Sequence, residues 1–232
     1  MWFTLIDQLK RDYRDKILLK LNKLEKPFMK NKELDIIEEI LLSIKPRKCL
    51  EWGSGYSSLV FPPLIDPELW LAIEHDQDWA EEIIGKNKNP HVKIVYVPSE
   101  VPGWNNKEDW RKDGTFKDFE SYINYPEKFA PFDFIMIDGR ARVECLKKAS
   151  EMITHDGVVV FHDCNRAHYH QYQELFQFGQ FITDHRSSHG GLWIGSNGRP
   201  IDQVFQVKKH LDLWEKHSKL SMMFKFNKTS RK

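Results

Sequence analysis

Apolar positions along the chain follow two periods, and the alternation between them predicts most of the architecture. Near the N-terminus Leu5, Leu9, Ile17, Leu21 and Leu24 recur at helical spacing within Trp2–Leu24, and Pro27 breaks the segment. A second helix is predicted over about Lys32–Ile44. Leu34, Ile37, Leu41 and Ile44 line one stripe, Ile36 and Ile40 widen it, and Lys45-Pro46 closes it. Short apolar runs then alternate with helical stretches. Lys48–Trp52, Leu69–Glu74, Val92–Val97, Phe132–Ile137 and Val158–Phe161 read as strands. Between the last two, Val143, Leu146, Ala149 and Ile153 mark one face of a helix. Strands separated by helices imply crossover connections, hence a mainly parallel sheet covered on both faces.

The pattern changes toward the end of the chain. Gln180–His185 and Leu192–Ser196 are strand-like, and the loop Arg186–Gly191 between them is too short for a helical crossover, so an antiparallel hairpin is expected. A helix over about Asp202–Lys219 and a basic tail follow. The expected fold class is α/β: a doubly wound, mainly parallel seven-stranded sheet with a C-terminal antiparallel hairpin. A helical extension over residues 1–30 precedes a main domain over 31–232. Pro98–Pro131 resists the alternation. It carries Trp104, Trp110, Phe116, Phe119, Tyr122 and Tyr125 among many charges and is long for a connection. A partly helical insertion fits it, either as a structural cover or as a substrate lid.

Composition narrows the class. Hydrophobic residues make up 41% and charged residues 30% of the 232, as in a globular chain. A formal net charge of +1 removes any bulk electrostatic argument for nucleic acid. The charged N-terminal stretch does not read as a secretory signal, and no apolar run approaches the ~18–20 residues of a membrane span. Cys49, Cys145 and Cys164 lack zinc-ligand spacing and are expected as reduced thiols in a cytoplasmic protein. Lys10, Arg11, Arg14, Lys16, Lys20 and Lys23 crowd one face of the first helix. That face is either solvated, with the helix packed on the domain or on a second subunit of a homodimer, or a surface for an anionic partner or membrane.

Candidate chemistry concentrates at strand ends. Glu51-Trp52-Gly53-Ser54-Gly55-Tyr56-Ser57-Ser58 follows a strand, and its glycines permit a sharp turn and close approach of a ligand. Glu74 ends the next strand 19 residues after Gly55, near the ~20 at which an acid binds ribose hydroxyls in nucleotide folds. The plainer alternative is a tight strand–helix turn and an ordinary surface glutamate. Glu51-x-Gly53-x-Gly55 resembles the first motif of class I S-adenosylmethionine-dependent methyltransferases, and Ile73-Glu74-His75-Asp76 their second. Phe132–Gly139 resembles their fourth-strand motif, and the resemblance spans roughly residues 32–200. It implies that Glu51 lies near the methionine part of the cofactor and that Gly53, Ser54, Gly55 and Ser57 wrap that side. Glu74, with His75, would hold the ribose, and Asp138 would face the sulfonium and the acceptor. A nicotinamide dehydrogenase is the nearest competitor. Its fingerprint needs glycine where Ser58 stands, and a carboxylate at Glu51 would repel a diphosphate.

On the acceptor side, Asp138-Gly139-Arg140-Ala141-Arg142 and His162-Asp163-Cys164-Asn165 end the fourth and fifth strands and should face each other. Two roles are open. His162 or Asp138 acts as general base, or Asp138, Asp163 and Asn165 hold Mg²⁺ or Mn²⁺, although Cys164 interrupts the adjacent-acid pattern. Asp163 has a third reading as a helix cap. Arg140 and Arg142 either bind a carboxylate or phosphate of the acceptor or pair with Asp138 or Glu74. The Asp-Gly-Arg-Ala-Arg run resembles one in poorly characterised methyltransferases, some of which act on glycans. The expected activity is O-methylation of a small-molecule or sugar-like acceptor. The alternatives are a non-catalytic module acting through the basic N-terminal helix, and a nucleic-acid methyltransferase. Asp138-Gly139-Arg140-Ala141 and the balanced charge argue against the latter.

Overall fold

The computed structural model describes residues 4–21, 23–102, 104, 112–183 and 190–229, with 221–229 as backbone alone. Two helices come first, α1 (Leu5–Lys20) and α2 (Asn31–Ile44). β1 (Lys48–Trp52) leads through two single-turn helices, α3 (Ser57–Val60) and α4 (Pro62–Ile65), into β2 (Leu69–Glu74). Then come α5 (Gln77–Lys86), β3 (Val92–Tyr96), α6 (Glu120–Asn124), β4 (Phe132–Ile137), α7 (Arg142–Met152) and β5 (Ile153–His162). β6 (Phe178–Ile182), β7 (Leu192–Ser196) and α8 (Val207–Thr229) complete the chain.

The strands form one seven-stranded sheet in the order β3-β2-β1-β4-β5-β7-β6. β1 to β5 pair in parallel, and β7 runs antiparallel to both β5 and β6. Alternate strand residues feed opposite faces. Cys49, Trp70, Phe134 and Val158 pack with Ile36, Ile37, Ile40 and Leu41 of α2. Leu50, Leu71, Ile135 and Val159 pack with Cys145, Leu146 and Ala149 of α7 and with Phe119 and Tyr122. Each fully buried aliphatic side chain stabilises the fold by about 1.5–3 kcal/mol. The chain order reverses between β1 and β4, and Trp52 pairs level with both Ile73 and Ile137. Three strands therefore end side by side at the point where open α/β sheets receive ligands.

Four regions depart from the expected layout or decide between its alternatives. β5 starts at Ile153, five residues before the apolar run at Val158, with an irregularity opposite Phe132–Phe134. β6 occupies Phe178–Ile182, and α8 starts at Val207 after a short 3-10 turn. In Pro98–Pro131, Phe119 and Tyr122 are fully buried against the sheet, so this part of the insertion is structural cover. Trp110 lies outside the described residues, as do Trp2, His185 and most of the hairpin loop.

The fourth change concerns α1. Its buried residues are Gln8 and Asp15, whereas Ile17 is 42% and Leu21 56% exposed. The reason is that the opposing surface is polar. Gln8 Nε2 donates to Asp35 at 3.2 Å, and Arg11 pairs with the same carboxylate. Asn31 Nδ2 donates to Asp12 and Asp15 at 2.8 and 2.9 Å, and His217 of α8 reaches Asp12 at 2.9 Å. Hydrogen bonds and ions seat the helix, and Arg11 of the basic set turns inward. Among the described residues no helix is long and apolar enough to cross a membrane.

Candidate active site

The loop after β1 is built around a backbone contact. Gly53 has φ +95° and donates its N–H to Ile73 O at 2.9 Å, and Asp138 N donates to Trp52 O at 2.9 Å. A Cβ on Gly53 would lie 2.6 Å from Gly139 Cα, and one on Gly139 would overlap the Tyr122 hydroxyl. The β1 loop and the β4 turn therefore touch glycine to glycine. The sequence reading gave Gly139 no reason; this contact supplies it. Gly55 differs, because a Cβ there meets only ordinary contacts, the nearest at 3.8 Å. The protein itself does not demand glycine at 55, which lines the cavity described below.

Glu51 sits beneath this loop with no exposure. Its carboxylate accepts from Ser57 Oγ, from Ser58 Oγ at 2.7 Å and from Trp70 Nε1 at 2.8 Å. Burial pushes its carboxyl up to about 7 against the pull of those donors. Glu51 therefore fixes the loop from below, with Ser57 as its partner. Ser54 does face the cavity; its Oγ is buried and has no hydrogen-bond partner among the described residues.

Glu74 ends β2 with its side chain nearly buried. Oε1 accepts from His75 N at 2.8 Å and Asp76 N at 3.0 Å and pairs with His75 Nδ1 at 2.7 Å. These contacts all fall on Oε1, and Glu74 lines the cavity described below. Asp76 caps α5 by accepting from Trp79 N at 3.1 Å, and Trp79 Nε1 donates to Ser54 O at 2.8 Å. Asp76 and Trp79 were not among the predicted site residues, although an aspartate opening a helix was a legible signal.

At the ends of β4 and β5 the structure brings Asp138, Arg142, His162 and Asp163 together and adds Glu33 from α2. His162 Nδ1 meets Asp138 Oδ1 at 2.7 Å, and Nε2 meets Glu33 Oε2 at 3.3 Å. Burial alone would lower the histidine's pKa, but the two carboxylates outweigh it and raise it to about 10. Both ring nitrogens are engaged with carboxylates, an arrangement that favours the charged ring. Every contact of the Asp138 carboxylate among the described residues falls on Oδ1.

Arg142 holds this corner. Nε donates to Gly139 O at 3.0 Å, Nη2 to Asp138 O at 3.1 Å and Nη1 to His162 O at 3.2 Å. Nη1 also lies 3.1 Å from Asp138 Oδ1 and 3.2 Å from Asp163 Oδ2. An arginine so engaged ties two strand ends together, which favours the expected pairing with Asp138 over binding of the acceptor. It also displaces the expected metal set. The guanidinium stands between Asp138 and Asp163, whose Oδ2 also pairs with Arg166 at 3.1 Å and whose Oδ1 accepts Gly190 N at 2.7 Å. Burial opposes ionisation of Asp163, yet His162, Arg142 and Arg166 hold its carboxyl at about 2. Asn165 uses its backbone N–H on Gly190 O at 2.9 Å. Among the described residues no three His, Cys, Asp or Glu side chains are arranged for a metal ion. Arg140 stays on the cavity wall, with Nη1 3.2 Å from Lys112 O.

These groups surround a cavity of about 620 Å³. Gly53–Ser57 and Glu74–Asp76 form one side, Asp138–Arg142 and His162–Arg166 the other, and Pro27, Phe28 and Trp79 the mouth. No family model matches the sequence, and no curated protein matches it. Solved structures do resemble the fold. A methyltransferase-like protein from Silicibacter pomeroyi superposes with a TM-score of 0.52 at 20% identity, covering 81% of this chain and 97% of its own. An O-methyltransferase from Bacillus cereus, in complex with S-adenosylhomocysteine, gives 0.50 at 14% identity over 83% and 90%.

The chain has the methyltransferase α/β fold. In this sheet the cavity opens at the carboxyl ends of β1, β2, β4 and β5, with the two acid-bearing motifs on one flank and the Asp138 corner on the other.

Proposed function

We propose that the chain binds S-adenosylmethionine in this cavity and transfers its methyl group to a hydroxyl of a small-molecule or sugar-like acceptor, with residues 31–232 as the methyltransferase domain and 1–30 as an extension. The observation that carries the reading is the Gly53–Ser57 wall itself. It presents a buried Ser54 hydroxyl with no partner among the described residues and a Gly55 whose missing side chain the described neighbours do not require. Both features suit a ligand lying close against the backbone. When bound, the cofactor supplies an electrophilic methyl group on a cationic sulfur. Glu74 Oε2 is suited to accept hydrogen bonds from ribose hydroxyls. Asp138 Oδ2 is suited to take the proton of an acceptor hydroxyl, while His162 and Arg142 fix the carboxylate through Oδ1. Arg140 adds a cation to the acceptor wall.

Calorimetry with S-adenosylhomocysteine tests the reading. One site per chain is expected, and Glu74→Ala should weaken it by about 1.5–3 kcal/mol through loss of a charged hydrogen-bond acceptor. Binding of NADH with no response to S-adenosylhomocysteine would overturn it.

A further inference from the structure

No described residue of the Pro98–Pro131 insertion lines this cavity, and Phe119 and Tyr122 are sealed into the core. An aromatic surface stands elsewhere, on the linker between α1 and α2. Pro27 and Met29 are buried, and Met29 belongs to the core beneath the sheet. Phe28 between them is 84% exposed. Met29 N donates to Pro27 O at 2.7 Å, a tight turn that turns Phe28 outward while both neighbours anchor the backbone. The linker is pinned again at Glu25, whose carboxylate takes Lys86 Nζ at 2.7 Å and the Tyr56 hydroxyl at 3.3 Å. Phe28 lines the cavity mouth with its ring centroid 6.4 Å from that of Trp79. Trp79 in turn meets Tyr56 edge-on at 5.9 Å.

A phenyl ring held in water at a cavity rim, on a backbone that cannot withdraw it, gains free energy only when something apolar covers it. Phenylalanine has no polar atom, so what it recognises is a face rather than a functional group. The floor below is charged, with Glu74, Asp138 and Arg140. We infer that Phe28 and Trp79 form a subsite for a flat ring, so that the ligand is a ring whose polar substituents reach the charged floor. This rests on the proposed methyl-transfer reading and adds the ring to it. The ring has two available sources, the adenine of the cofactor or the acceptor itself.

The test compares wild type, Phe28→Ala and Phe28→Tyr by calorimetry, first with S-adenosylhomocysteine. The protein saturated with it is then titrated with a panel of catechol, p-hydroxybenzoate, phenyl glucoside, glucuronate and lactate. Phe28→Ala should weaken a ring compound about tenfold, and Phe28→Tyr should restore it. If S-adenosylhomocysteine carries the loss, the ring is adenine; if a ring-bearing panel member carries it, the ring belongs to the acceptor. Unchanged S-adenosylhomocysteine affinity in Phe28→Ala overturns the inference when no ring compound binds the wild type, or when none that binds depends on Phe28. A wild type that ignores S-adenosylhomocysteine overturns the methyl-donor reading instead. Phe28-dependent uptake of a panel ring would then leave the subsite standing.

Discussion

His162 lies between two carboxylates supplied by residues 24 and 129 positions away in the chain. Its charge orients Asp138 and neutralises Glu33, so replacing either partner acts on the ring before it acts on any ligand. Glu33→Gln should lower the imidazole pKa from its present value of about 10, read by NMR titration of the ring; an unmoved titration would refute the pairing. Arg142→Met should destabilise the fold by about 3–5 kcal/mol in urea denaturation, because half-buried Asp138 and buried Asp163 lose their shared cation. Arg142→Lys should recover only part of this, since an ammonium cannot replace a planar fork reaching three carbonyls. Such contacts explain what was hidden in the sequence. Glu51, Gly53 and Glu74 stand out because the pattern is local. Glu33 sits on an ordinary amphipathic helix, and nothing near it signals a histidine at the far end of β5. Arg142 read equally well as an acceptor ligand or as a partner of Asp138, and only the fold chooses.

At the scale of elements, the strands were legible because a strand buried on both faces needs a continuous apolar run, which Phe134–Ile137 supplies. α1 was legible as a helix and misread as to its buried side. Helical spacing reports periodicity, whereas the side that turns inward depends on the partner, here Asn31 and Asp35 of α2. The junction between the β1 loop and the β4 turn gives a paired prediction. Gly139→Ala should unfold at clearly lower urea, because its Cβ overlaps Tyr122 and crowds Gly53. Gly55→Ala should fold with nearly wild-type stability yet lose S-adenosylhomocysteine binding in calorimetry. Equal stability of the two variants would contradict the backbone contact.

For the whole molecule, the buried charges set how stability changes with pH. The folded-state pKa of His162 is raised from 6.5 to about 10, so its contribution is complete below 6.5 and is lost as pH rises through 10. Glu51 is raised from 4.5 to about 7, so its buried neutral form favours folding below 4.5 and that benefit disappears by 7. Asp163 is lowered from 3.8 to about 2; its contribution holds above 3.8 and fades as pH falls toward 2. Together the three place the optimum on the acid side of neutrality. Urea midpoints should therefore fall between pH 6.5 and 10 in the wild type and fall less in His162→Gln; a midpoint that rises across that interval would refute the assignment. The junction where Gly53 meets Gly139 offers no side chain to trim. The charge network beside it gives up stability when a member is removed, and the strap at Pro27–Phe28 is the wall whose shape one codon can alter cheaply. A lineage of this fold adapting to a new substrate, or an engineer imitating one, would find its room for variation there.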